Sequence, residues 1–204
     1  MTNLQTATED PASLAYDVRR SIILSSFISE WGFPVTWEPC RLATGCVEIY
    51  SFEPVQPQRV ARVATVGVSS LVRADGKRLP YELMLALPHD LAGASVDDIT
   101  VMLMNIVSAH FSGNFELNVD ALANVSAFTP TTWSTTHIWA QEPLAEPETL
   151  TPWNINGQEV ELLWLIPLFS SEATYICKNG TEAFDSIWYS HGSILSNPLR
   201  QPLV

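Results

Sequence analysis

Glu82 and Glu172 are the two carboxylates whose surroundings could turn them to chemistry. Glu82 opens the apolar run Leu83-Met84-Leu85-Ala86-Leu87, and Glu172 follows the run that ends at Phe169. An acid in apolar surroundings has its charged form disfavoured, so one of such a pair can carry a proton while the other accepts one. Acid/base pairs of this kind stand about 5–10 Å apart. Each residue also has a structural reading. Glu172 falls in a first helical turn, where negative charge is favourable and backbone N–H groups await a partner. Glu82 can bond a neighbouring loop. No nucleophile or orienting histidine is placed beside them by sequence, so structural roles are favoured for both and no catalytic residue is assigned.

Other chemistries find less. Gly67-Val68-Ser69-Ser70-Leu71 copies the start of a nucleophile elbow, but the elbow needs a small residue where Leu71 stands. Ser69 therefore reads as a strand-end serine. His89, His110, His137 and His191 are dispersed, and Cys40 and Cys46 are too far apart for a zinc knuckle. Gly76-Lys77 lacks the glycine loop that cradles phosphate. Neither a metal nor another cofactor is expected.

The elements that must position these residues follow from the hydrophobic pattern. Asp10-Pro11 signals a helix start, and Leu14, Val18 and Ile22, widened by Ile23 and Phe27, recur at helical spacing to about Trp31. Extended runs follow at 35–37, 46–52, 60–68 and 81–87, with an Asp75-Gly76 turn between the last two. Gly67 interrupts a β-branched strand, which marks a bulge or a close backbone approach. Ser95-Val96-Asp97-Asp98 resembles a capping box opening a helix to about His110. Strands are predicted at 115–121, 136–141 and 160–169, and the acidic, proline-punctuated 142–152 is a surface loop. Ser171 begins a short helix ending at Asn179-Gly180, and Thr181 caps another to about Tyr189. The order predicts an α+β fold with a mostly antiparallel sheet. Residues 11–195 form the expected single domain, with 1–10 flexible and 196–204 a loose tail.

The charge is not evenly spread. Of 204 residues, 10 are basic and 22 acidic, for a net charge of −12. No Lys or Arg stands between Arg78 and Lys178, and twelve of the acids do. Such a chain repels phosphate backbones, which argues against nucleic acid as partner. Within that stretch Glu142, Glu146 and Glu148 lie on the stiff loop with no base nearby in sequence, which makes them candidates for docking another protein. Trp133 and Trp153 fall in loop-like sequence, where tryptophan can anchor a partner. A solvated acidic face kept for solubility is the competing reading. No apolar run approaches the ~18 residues of a membrane span, and the first residues lack the basic and apolar regions of a signal peptide. Three cysteines without scaffold spacing fit a reducing cytoplasm.

Three segments in order resemble the Suppressor of Fused domain family. Val63-Ala64-Thr65-Val66-Gly67-Val68-Ser69 resembles its strand with a Thr-x-Gly-x-Ser ending. Tyr81 and Glu82, the apolar run and Pro88 resemble its Glu-Leu strand closed by proline, and 162–169 with Pro167 and then Glu172 resembles its Pro-Leu strand followed by glutamate. The resemblance implies an α/β sandwich with a mixed, mostly antiparallel sheet flanked by helices. It also implies a non-enzymatic binder: the animal protein holds a transcription-factor peptide by strand addition. Bacterial members look like immunity proteins that neutralise secreted toxins. The chain is too short for the animal protein's second domain, so the transcription-factor role does not transfer. Opposite fields speed capture, so an acidic inhibitor would suit a basic toxin. The alternatives are a hydrolase using Glu82 and Glu172, or a structural module that forms a homo-oligomer.

Overall fold

The computed structural model describes residues 11–55, 60–73, 76–144, 146–191 and 194–204. Among these, four helices surround an open sheet. The strands are β1 (Thr36–Leu42), β2 (Gly45–Phe52), β3 (Val60–Val66), β4 (Tyr81–Pro88), β5 (Leu122–Asn124), β6 (His137–Gln141), β7 (Trp153–Ile155) and β8 (Gln158–Leu168). The helices are α1 (Pro11–Trp31), α2 (Val96–Phe111), α3 (Ser170–Asn179) and α4 (Thr181–His191). The strands run in the order β1-β2-β3-β4-β8-β6-β5, and β7 adds to β8. Each pairing is antiparallel except β4 with β8, where Tyr81 lies opposite Glu161 and Met84 opposite Trp164. The sheet is mixed and mostly antiparallel, as the sequence predicts.

Alternation along the central strands builds two cores. Leu83, Leu85, Leu163 and Leu165 face α2, which supplies Ile99, Met102, Leu103 and Ile106. Their neighbours Met84, Leu162, Trp164 and Ile166 face the other way, toward Phe27 and Trp31 of α1 and Phe184 of α4. Strands covered on both faces read as continuous apolar runs, and β4 is such a strand. The Ser95 capping box forms as predicted, with Ser95 Oγ accepting from Asp98 N–H and the Asp98 carboxylate accepting from Ser95 N–H.

Several expectations are corrected. On α1 the inward stripe is Arg19, Ile23, Phe27 and Trp31, while Leu14, Val18 and Ile22 are exposed. The choice follows size: Phe27 stacks on Trp31 at 4.5 Å and meets Phe52 and Trp153 edge-on, so the aromatic face buries more area than the aliphatic one. Strand β1 runs on through Pro39, which an edge strand tolerates. The strand predicted at 115–121 is a connection, with β5 following at Leu122. The tail is docked: Leu195 and Ser196 are buried, Leu203 packs on the second core, and Arg200 reaches a buried carboxylate. Asp10, Asp75 and residues 1–10 lie outside the described residues.

Candidate functional site

Strand β3 ends at Gly67, whose φ of 113° lies in the left-handed region that favours glycine. A Cβ there would also stand 2.6 Å from the Cys46 carbonyl oxygen. The chain therefore turns into a short 3-10 segment, Val68–Ser70, and its N–H groups converge on Glu82 at the start of β4. Glu82 Oε1 accepts from Gly67 N–H (3.0 Å), Ser69 N–H (2.9 Å) and the Ser69 hydroxyl (2.6 Å). Oε2 accepts from Thr65 Oγ1 (2.8 Å) and Val68 N–H (3.1 Å). Thr65 Oγ1 in turn accepts from Leu83 N–H. Burial pushes the Glu82 carboxyl above the ordinary range, opposed by the bonds from Ser69, Thr65 and Gly67. Glu82, Ser69 and Thr65 are each fully buried, so neither Ser69 as nucleophile nor Glu82 as base meets solvent.

Glu172 is equally hidden at the start of α3. It accepts Phe169 N–H (2.9 Å) and Leu203 N–H (3.0 Å), and Arg200 grips both oxygens at 2.7 and 2.8 Å. Arg200 also donates to the Pro167 carbonyl, beyond the last residue of β8 that pairs with β4. Proline at 167 removes no bond from the β4 ladder, because that pairing ends at Trp164. Pro88 closes β4 opposite Val60. The two glutamates do not share a pocket. Glu82 lies opposite Leu162, near one end of the parallel pair, and Glu172 lies past Leu168, about 20 Å away along the strand at ~3.3 Å per residue. That separation exceeds the ~5–10 Å of an acid/base pair.

The 142–152 loop does shape a site. Glu142, Glu146, Glu148 and Glu161, with prolines 143, 147 and 152, line a cavity of about 260 Å³ at the end of β8 where that strand begins. Glu142, Glu148 and Glu161 are exposed. Glu146 is not: its side chain accepts from Arg62 Nε (2.7 Å) and Trp31 Nε1 (2.8 Å), and is only 6% exposed. The expectation that no base neutralises Glu146 is corrected, since Arg62 arrives from β3. Burial of the pair pins the loop to the core and leaves its neighbours pointing outward. Trp133 and Trp153 are also corrected, at 7% and 5% exposure, each in a different core. Neither is a surface anchor.

The model of the Suppressor of fused protein (SUFU) family matches residues 44–201. The chain belongs to that family. The matched span contains Thr65, Gly67, Ser69, Glu82, Pro88, Pro167 and Glu172, and also Arg200. No curated protein matches the sequence. A SUFU homologue from Neisseria gonorrhoeae has the same fold, with a TM-score of 0.71 at 13% identity over 92% of this chain and 98% of that chain. The Sufu–Fu complex gives 0.58 at 11%, over 83% of each chain. Drosophila Suppressor of Fused gives 0.57 at 10%, over 78% of this chain and 43% of that chain. At these identities the likeness is one of fold.

The SUFU motif residues other than Pro88 thus gather around two buried carboxylates. Thr65, Gly67 and Ser69 close on Glu82; Pro167 and Glu172 close on Arg200. Sequence reasoning missed Arg62 and Arg200 as partners of Glu146 and Glu172, each far away in the chain. It also missed Glu161, whose place beside the acidic loop depends on the β7–β8 hairpin. The Asn156-Gly157 pair, with φ of 53° and 75°, is the signal that could have found that hairpin.

Proposed function

We propose that this SUFU-family chain is a non-enzymatic protein-interaction domain that holds a basic partner at the acidic end of its sheet, and that it acts in the cytoplasm as an immunity protein against a toxin. The observation that carries the reading is the convergence of Glu142, Glu148 and Glu161 on one cavity, around a loop pinned by the buried Arg62–Glu146 pair. A rigid, like-charged wall raises the local concentration of a basic protein and steers its approach. The complex of a related Sufu with Fu supports protein binding as the general mode. Both carboxylates that could have done acid/base work are spent on backbone and arginine.

The test uses the purified chain and a basic toxin encoded beside its gene. Replacing Glu142, Glu148 and Glu161 by glutamine should slow association about tenfold at low salt and less at physiological salt, where screening lengths shrink to ~8 Å. The thermal midpoint should not move, because Glu146 is left in place. Equal association rates at both salt concentrations would leave the acidic wall with solubility alone.

A second reading has its own observation. Leu14, Val18 and Ile22 form an exposed stripe on α1 at i, i+4 and i+8, the spacing by which two helices pack. A homodimer would cover it. Sedimentation should then show a dimer that Val18→Glu converts to monomer, and a monomeric wild type would end this reading.

A further inference from the structure

The end of the sheet that carries the acidic cavity also carries an oppositely charged one. A cavity of about 390 Å³ lies under the turn that precedes β4, walled by Arg73, Lys77 and Arg78. The antiparallel bridge of Val72 with Arg78, and the bond from Arg73 N–H to the Lys77 carbonyl (2.8 Å), hold these bases together. Its floor is Tyr81 and His110, both buried, with the Tyr81 hydroxyl 2.8 Å from His110 Nε2. Glu116 and Glu161 also line it. Buried Arg19, bonded to Gln158, adds a further positive charge: burial first, then Arg78, holds its guanidinium below the usual value.

The arrangement stands out in a chain of net charge −12. Elsewhere Arg20, Arg62 and Arg200 each meet a glutamate. Among the described residues, neither Arg73 nor Arg78 has a carboxylate within 4.0 Å. Three bases against two acids leave the cavity walls net positive, and Arg73 and Arg78 touch no carboxylate among the described residues, so a ligand that supplies negative charge is their natural complement. A third cavity, of about 500 Å³, continues past Lys77 and Arg78 to Gln158 and Glu159. The acidic and cationic cavities share Glu161, and beyond it Leu162 lines one and Leu163 the other. Because adjacent strand residues point to opposite faces, the cavities open on either side of the same sheet end.

We propose that the Arg73–Lys77–Arg78 cavity is a second docking subsite, taking acidic side chains of the same protein whose basic side chains enter the glutamate cavity. The partner is then charge-segregated, and it grips the end of the β4–β8 pair from both faces. The inference rests on the reading above that the glutamate cavity takes a basic partner.

The experiment uses three fluorescent peptides: a tetralysine, a tetraglutamate, and the two joined by a flexible Gly-Ser spacer. Linking two subsite ligands raises the effective concentration of the second, so the joined peptide should bind wild type at least about tenfold tighter than tetralysine. Arg73→Gln with Arg78→Gln should erase that advantage and leave tetralysine binding unchanged. The fold should survive, because both side chains reach the surface and the bridge uses the backbone; an unchanged thermal midpoint checks this. A joined peptide no tighter than tetralysine, or an advantage that persists in the double variant, overturns the proposal. If tetralysine fails to bind while tetraglutamate binds and is lost in the double variant, the basic-partner reading falls and the cationic subsite stands. Binding of neither single-charge peptide, with no advantage for the joined one, overturns both.

Discussion

Glu82 and Glu172 present the same problem to the fold, a carboxylate with no exposed surface, and are answered differently. Among the described residues the donors around Glu82 are all neutral, and they lie between residues 65 and 69. Around Glu172 the main partner is a guanidinium from the docked tail, 28 residues on. The first cage forms wherever β3, its turn and β4 pair, so it is a property of the sheet. The second exists only while the tail is seated, so it can open without the sheet coming apart. Local unfolding of this kind spans the range from zero to the global stability.

The largest expected effect is therefore at Glu82. In Glu82→Gln the amide nitrogen must replace one of the two oxygens, and each oxygen faces at least one backbone N–H that cannot turn into an acceptor. Buried donors left without a partner cost about 1–3 kcal/mol each, and the loss of charge weakens the remaining bonds. A destabilisation of about 4–5 kcal/mol is expected by urea denaturation, a large share of what holds a typical domain. A loss under about 1 kcal/mol would show that the cage is dispensable. Arg200→Gln comes next. It leaves the Glu172 carboxylate with two backbone donors, and breaking a buried pair costs about 3–5 kcal/mol when water cannot enter. Here the tail can lift and admit water, so about 3 kcal/mol is expected, or roughly 6–12 °C in thermal midpoint. Truncation before Ser196 should match it. A truncation that costs much less than Arg200→Gln would show that the seated tail is not what stabilises Glu172.

What the sequence reveals of this arrangement depends on how far apart the partners stand. The capping box at Ser95, β4, β8 and the helix starts at Ser171 and Thr181 are local patterns, and they appear within a residue or two of where they were expected. A backbone-bonding role for Glu172 in its first helical turn is likewise local, and the Phe169 bond confirms it. Arg200 and Arg62 were not legible as partners, since salt bridges spanning 28 and 84 residues follow from topology and not from spacing. The acidic excess between Arg78 and Lys178 was visible, but three of its twelve acids, Glu82, Glu146 and Glu172, prove to be inside. Composition counts charges and cannot see which of them the sheet will swallow. On α1 the helical period was correct and Ile23 and Phe27 do face inward, but Leu14, Val18 and Ile22 do not, because a tally of apolar positions ignores that Phe27 and Trp31 outweigh three aliphatic residues.

The loop carries the same contrast on a smaller scale. Glu146→Gln should cost about 2–3 kcal/mol, since it removes charge from a pair whose side chains are 6% and 2% exposed and leaves Arg62 short of its counter-ion. Glu148→Gln, at an exposed position with no salt bridge among the described residues, should leave the midpoint unmoved. Equal effects at the two positions would mean that Arg62 does not pin the loop.

The smallest effect concerns a buried group whose charged form burial disfavours. His110 has Nε2 at 2.8 Å from the Tyr81 hydroxyl and Nδ1 at 3.1 Å from the Phe115 carbonyl and 3.2 Å from Leu117 N. Burial lowers its affinity for a proton; the Phe115 bond works against that, Arg73 adds to it and Glu116 opposes it. Burial likewise raises Tyr81, which keeps its hydroxyl proton for the pair. With the folded value below the ordinary ~6.5, the unfolded chain binds more protons just under that pH, so stability falls as pH is lowered through the window. His137 is pushed the same way by its own burial and contributes in parallel. Thermal midpoints taken from pH 7 to pH 5.5 should therefore drop more steeply for wild type than for His110→Gln, which cannot titrate but can still hydrogen-bond Tyr81. Parallel slopes would mean that His110 takes up a proton in the folded protein as readily as in the unfolded one. The cavity floor would then carry positive charge beside Arg73, and the contrast with the two caged glutamates would be lost.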